Sequence, residues 1–221
     1  MSRSSSLPWM DGAARRERLA RSRLYLVLDA RPHGRDPGPL LEAALRGGAD
    51  VVQLRDKTLG ADELAAAAAP FRTACERHGA LFVLNDRPDL VAACGADGVH
   101  VGRGDAPAAE ARATVGPERL VGLSATTPDE LHGDADYFGV GAVFGTPTKP
   151  ESPPGGLALV RAAAERLRVP WFAIGGVEPE NVEELAAAGA WGVAVVRAIR
   201  DADDPETAAR SLRRPFASPA A

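Results

Sequence analysis

The sequence predicts a single (β/α)8 barrel, a TIM barrel of parallel strands, and three observations carry that prediction. Eight short apolar runs recur along the 221 residues, helix-like stretches separate them, and no Gly-x-Gly-x-x-Gly follows the first run. An apolar run of this length suits a strand buried on both faces. Strands that alternate with helices build a parallel sheet. A count of eight favours closure into a cylinder, and the missing glycine pattern argues against an open dinucleotide-binding sheet.

The runs occupy 24–28, 50–55, 80–85, 97–101, 120–124, 137–141, 171–174 and 192–196. Helices are expected over 61–78, 88–94, 106–115, 128–133, 156–168 and 179–188. Several of these stretches open on Asp or Pro, and glycines at 48, 79, 95, 116 and 189 mark helix ends, as helix start and stop signals do. Gly-Ala-Asp recurs at 48–50 and 95–97, with Gly-Ala-Trp at 189–191, so a strand follows at once after the helix stop.

The barrel domain is expected to span 23–213. Residues 1–22 read as a partly disordered tail with a short helix near 13–21, its arginines forming a solvated face, and 214–221 as a frayed end. No apolar stretch reaches signal-peptide or membrane-spanning length, which points to a cytoplasmic protein with no membrane partner. A net charge of −4 offers no basic surface for nucleic acid, so any anionic ligand must meet a few clustered cations. Cys75 and Cys94 match no metal or redox spacing and read as small buried apolar residues. Assembly into a homo-oligomer is left open.

Function in such a barrel sits at the C-terminal ends of the strands. The second run ends in Gln53, Arg55 and Lys57 on one alternating face. Two cations there need an anion, supplied either by a ligand or by an internal ion pair at the barrel mouth. Asn85 and Asp86 end the third run, and Asp105 follows the fourth. Two carboxylates on adjacent loops suit Mg²⁺, although Asp105 also fits an N-cap for a helix beginning at residue 106. His100 reads as a satisfied interior histidine without a catalytic role. Ser124 has no histidine base nearby in sequence and reads as a hydrogen-bonding group. Thr146, Thr148 and Lys149 stand on a Gly- and Pro-rich loop over 145–156 that reads as a flap around phosphate or as a plain surface loop. Gly175-Gly176 and Arg197 follow the seventh and eighth runs, where barrels of this type bind phosphate.

Five motifs together resemble one family. They are Gln-Leu-Arg-Asp-Lys at 53–57, Asn-Asp-Arg-Pro-Asp-Leu at 85–90, Gly-Ala-Asp-Gly-Val-His-Val-Gly at 95–102, Gly-Val-Gly-Ala-Val-Phe-Gly-Thr-Pro-Thr-Lys at 139–149 and Ala-Ile-Gly-Gly-Val at 173–177. In this order they resemble the thiamine-phosphate synthase family over residues 23–213. The resemblance implies a transferase that joins hydroxymethylpyrimidine diphosphate to a thiazole phosphate, releasing diphosphate. It implies that Gln53, Leu54, Arg55, Asp56, Lys57, Asn85, Ser124 and Lys149 hold the pyrimidine diphosphate, with Arg55, Lys57 and Lys149 catalytic. It assigns Mg²⁺ to Asp86 and Asp105, and the thiazole phosphate to Thr146, Pro147, Thr148, Gly176, Val196 and Arg197. The family often has histidine where Thr126 stands and serine where Arg197 stands.

A thiazole tautomerase resembles this family in fold but needs no metal or diphosphate clamp. The presence of Arg55, Lys57, Asp86, Asp105 and Lys149 argues against it, as it does against a noncatalytic thiamine-phosphate binder. A phosphosugar isomerase or epimerase needs an acid–base pair that the strand ends do not offer.

Overall fold

The computed structural model describes residues 10–102, 104–145 and 154–217. Eight strands close into one cylinder in chain order: β1 (Leu24–Leu28), β2 (Val51–Leu54), β3 (Leu81–Asn85), β4 (Gly98–Val101), β5 (Leu120–Ala125), β6 (Tyr137–Val140), β7 (Trp171–Ile174) and β8 (Gly192–Val195). Every neighbouring pair is parallel, including β8 with β1. The helices are α1 (Gly12–Arg21), α2 (Gly38–Arg46), α3 (Ala61–His78), α4 (Val91–Cys94), α5 (Ala108–Val115), α6 (Gly156–Arg166), α7 (Val182–Ala187), α8 (Arg197–Arg200) and α9 (Pro205–Arg213).

Strand alternation divides the core into two shells. Leu24, Leu26 and Leu28 of β1 pack outward against helices, whereas Tyr25 and Val27 point into the barrel with Val51, Leu81, Val83, Leu120, Tyr137 and Phe172. Cys75 and Cys94 are buried free thiols, as expected of small apolar residues.

The aspartates of the two Gly-Ala-Asp repeats, Asp50 and Asp97, share a task at the barrel's N-terminal end with Asp136, which precedes β6. Asp50 accepts from the Arg23 and Leu24 amides, Asp97 from the Phe82 amide and Asp136 from the Val121 amide. Each carboxylate thereby satisfies the first backbone donors of an adjacent strand. Helix α1 lies over this end. Its Asp11 N-cap accepts from the Ala14 amide, and Leu19 joins the inner shell. The expected solvated arginine face is only partly so: Arg15 is 3% exposed and reaches Asp97 at 2.8 Å, and Arg16 reaches Asp136.

The helix expected over 128–133 is instead one 3-10 turn, Pro128–Glu130. Glu130 folds back to accept from the Thr126 amide and hydroxyl and the Thr127 amide, and Gly133 adopts φ 133°, so no further helical turn forms. Helices α8 and α9 are additional to those expected, and α2, whose end the glycine at 48 marked, had no expected range.

Gly122 controls one interior contact. A Cβ there would sit 2.1 Å from Tyr137 Cζ, which leaves no room for any side chain. Gly122→Ala is expected to displace the Tyr137 ring and to destabilise the barrel by about 3 kcal/mol, read as a lower urea midpoint with an unchanged m-value.

Candidate active site

A cavity of about 330 Å³ opens at the C-terminal ends of the strands. Strand alternation determines which side chains reach it. Gln53 on β2 and then Arg55 just past its end turn inward, and Lys57 follows on the loop. Asn85 ends β3 and Asp86 follows it, Asp105 comes from the loop after β4, Ser124 from β5, Gly176 and Val196 from the segments after β7 and β8, and Arg197 from the start of α8. These ten of the expected site residues line one space. Leu54 does not: it is fully buried and packs outward among the helices. Asp56 also stays outside, accepting from the Thr58 amide and hydroxyl and the Ala30 amide to shape the β2 loop. Thr146, Pro147, Thr148 and Lys149 lie outside the described residues.

The cations on this wall behave differently. Lys57 pairs with Asp86 at 2.9 Å. Arg55 is half-buried at the cavity and forms no ion pair among the described residues. Arg200 is held by Asp201 through two contacts of 2.6 and 3.1 Å, and Arg197 stands 3.9 Å from Glu178. Burial raises the Glu178 carboxyl above its ordinary range, against the pull of Arg197.

Asp86 and Asp105 face each other. Asp86 has φ 59°, the left-handed region, with its amide donated to the His100 carbonyl. Asp105 accepts from the Gly102 amide at 2.8 Å, closing a short loop, and helix α5 starts only at Ala108 with Pro107 as its N-cap, so Asp105 does not cap it. Burial drives Asp86 upward, but hydrogen bonds from Lys57 and Asp105 and the Lys57 charge outweigh it and hold the carboxyl low. Burial and the facing Asp86 push Asp105 up. Two carboxylates this close repel unless a proton or a cation lies between them. Their number also fits Mg²⁺, which takes one or two protein carboxylates and fills its remaining positions with phosphate oxygens and water. Among the described residues no cluster of three or more His, Cys, Asp or Glu side chains could hold a metal.

Across the cavity the Gly175-Gly176 turn approaches the β6 loop. Both glycines have positive φ, 100° and 64°, and a Cβ would meet Ala142 or Phe144 at 2.6 or 2.7 Å. Glycine is therefore required for conformation and for space. Asn181 fastens this turn: its Nδ2 donates to the Gly176 carbonyl at 2.9 Å and its Oδ1 accepts from the Glu178 amide at 3.0 Å. Asn181→Ala leaves both backbone groups unpaired and is expected to cost about 2 kcal/mol. A lowered Tm with faster amide exchange confined to 175–178 checks it.

The structure adds floor residues that the strand-end reading missed. Tyr25, His100 and Tyr137 line the cavity, and His100 Nε2 lies 3.0 Å from Ser124 Oγ. Ser124 thus has a histidine beside it after all. The two are 24 residues apart in sequence and meet because β4 and β5 are neighbours.

A sequence profile described as thiamine monophosphate synthase matches residues 24–199. Thiamine-phosphate synthase of Thermobifida fusca is 47% identical over 213 residues, covering 93% of this chain and 97% of the relative. The Mycobacterium tuberculosis thiamine-phosphate synthase is 46% identical over 211 residues, covering 89% and 95%. A solved thiamine phosphate pyrophosphorylase from Pyrococcus furiosus superposes with a TM-score of 0.81 at 31% identity, covering 91% of this chain and 96% of that one. A 3-hexulose-6-phosphate synthase, at 19% identity and a TM-score of 0.60, shares the fold alone. A profile match across most of the barrel, with relatives near half-identical over almost their whole length, places this chain in the thiamine-phosphate synthase family.

Proposed function

We propose that this cavity condenses 4-amino-2-methyl-5-(diphosphooxymethyl)pyrimidine with a thiazole phosphate, carboxylated or simple, to give thiamine phosphate and diphosphate in a Mg²⁺-dependent reaction, with the carboxylate of a carboxylated thiazole leaving as CO2. The carrying observation is that Arg55, Lys57, Asp86 and Asp105 line one cavity, with Arg55 free of any carboxylate among the described residues. The reaction breaks the bond between the pyrimidine methylene and the diphosphate oxygen, which keeps the electron pair. The thiazole nitrogen then gives its lone pair to that carbon. Arg55 and Lys57, joined by Lys149 from the 145–156 loop, meet the charge growing on the departing oxygen. A bound divalent cation would add positive charge against the diphosphate oxygens, and Asp86 and Asp105 would hold it.

Gln53, Asn85 and Ser124 orient the pyrimidine. The Gly176 turn, Val196 and Arg197, with Thr146, Pro147 and Thr148, hold the thiazole phosphate, so the two rings are aligned. The enclosed floor keeps water from the electron-poor methylene carbon. No protein nucleophile is required. Residues 23–213 form the catalytic unit, with 1–22 and 214–221 flanking it, and it works in the cytoplasm on small molecules. Among the described residues no helix is long and apolar enough to cross a membrane.

The test is to mix the purified protein with both substrates and Mg²⁺. Thiamine phosphate and diphosphate are expected to appear in equal amounts; diphosphate release without thiamine phosphate would refute the coupling.

A further inference from the structure

The cavity floor carries a continuous chain of polar side chains that the strand-end residues do not explain. Gln53 Nε2 donates to the Tyr25 hydroxyl at 2.7 Å, the Tyr25 and Tyr137 hydroxyls are 3.0 Å apart, Tyr137 lies 3.3 Å from His100 Nδ1, and His100 Nε2 lies 3.0 Å from Ser124 Oγ. Tyr25 and Tyr137 are buried, and burial raises both phenols, so they remain neutral donors.

Donor counting fixes a direction. Tyr25 accepts from Gln53, so its own single proton is left for Tyr137. Tyr137 then uses its proton on His100 Nδ1. The imidazole, unprotonated at Nδ1, carries its proton on Nε2 and donates to Ser124, whose proton is released towards the cavity. The reverse direction gives Tyr25 two incoming donors and strands its own proton in a buried site, which is costly. In this direction Ser124 accepts from His100, so His100 does not take the serine proton.

We propose that this one-way chain selects an aminopyrimidine, with Tyr25, Tyr137 and His100 as positioning residues that make Gln53 an acceptor and Ser124 a donor at the two ends of the floor. The inference rests on the proposed pyrimidine site. With Nε2 committed to Tyr25, Gln53 has its carbonyl oxygen left for a ligand. An aminopyrimidine supplies amino N–H donors for that oxygen and ring nitrogens that accept from Ser124. The 4-oxo counterpart replaces the amino donor with a carbonyl and protonates the neighbouring ring nitrogen, so it sets like against like. A site built for hydrogen bonds rejects such a mismatch strongly, because its polar groups are left unpaired.

The experiment titrates the protein calorimetrically with two unreactive probes, 4-amino- and 4-oxo-2-methyl-5-(hydroxymethyl)pyrimidine monophosphate. Wild type is expected to bind the amino probe at least about a hundredfold more tightly. Tyr137→Phe interrupts the chain at its middle. Tyr25 is then free to turn its proton towards Gln53, and the preference is expected to shrink to about tenfold or less, while KM for thiazole phosphate stays unchanged. An undiminished preference in a folded Tyr137→Phe protein overturns the proposal. A second readout uses wild type alone: ¹⁵N shifts of His100 should show the Nε2–H tautomer, and the Nδ1–H tautomer overturns the direction. A wild type that binds the amino probe selectively yet makes no thiamine phosphate would count against the reaction and leave the recognition chain standing.

Discussion

Asp86→Asn is expected to lower Mg²⁺-dependent turnover by about a thousandfold while leaving the barrel folded. The choice of Asn follows from the backbone, because φ 59° at residue 86 is strained for alanine and tolerated by asparagine. The folded state loses little, since Lys57, the ion-pair partner, is 56% exposed at its side chain and water replaces the contact. Catalysis loses half of a two-carboxylate site. Removing about 4 kcal/mol of charge stabilisation from the departing diphosphate corresponds to the predicted factor. A single-turnover rate measured against Mg²⁺ concentration checks it; an unaltered rate and an unaltered Mg²⁺ dependence would remove Asp86 from the metal site.

Arg55→Ala is expected to divide activity from stability. A half-buried cation with no carboxylate among the described residues gains nothing in the free protein. Its loss should leave Tm unchanged or slightly higher. The same guanidinium, aimed at the departing diphosphate, should be worth about a hundredfold to a thousandfold in kcat. These opposite signs separate a ligand site from an internal ion pair, the alternative the sequence alone left open. An ion pair would lose stability on substitution. Steady-state kinetics and thermal unfolding of one variant decide the matter, and a large fall in Tm with near-normal kcat would contradict the anion-site reading.

The fold was legible because period and punctuation agreed. Eight apolar runs became the eight strands, and the glycines at 79 and 95 end α3 and α4 in the left-handed conformation, as stop signals imply. The elements outside the predicted set have local reasons. Pro37, Gly38 and Pro39 disguise the start of α2. Helix α9 was missing from the expected set although Asp204 and Pro205 form a standard start, because the charged stretch before it breaks the strand–helix rhythm.

Within the site, residues that alternate along one strand were predictable, and Gln53, Arg55 and Asn85 do reach the cavity. Leu54 and Asp56 belong to the same motif yet face elsewhere, since a motif is contiguous in sequence whereas a cavity takes every second residue. The Ser124–His100 contact and the tyrosine pair were not legible. They depend on which strands are neighbours and on Gly122 leaving space for Tyr137 between β4 and β6. Asn181 was hidden for another reason. Its position six residues beyond Gly175 looks like an ordinary helix entry, and only the bond to the Gly176 carbonyl reveals what it holds.

The convergence of basic side chains and a carboxylate-held cation on one diphosphate is tested most directly by calorimetric titration with inorganic diphosphate, with and without Mg²⁺. Binding that requires Mg²⁺, takes up one diphosphate per chain, and weakens sharply in both Arg55→Ala and Asp86→Asn is the predicted result. Diphosphate binding of equal strength without Mg²⁺, or untouched by either substitution, would contradict it.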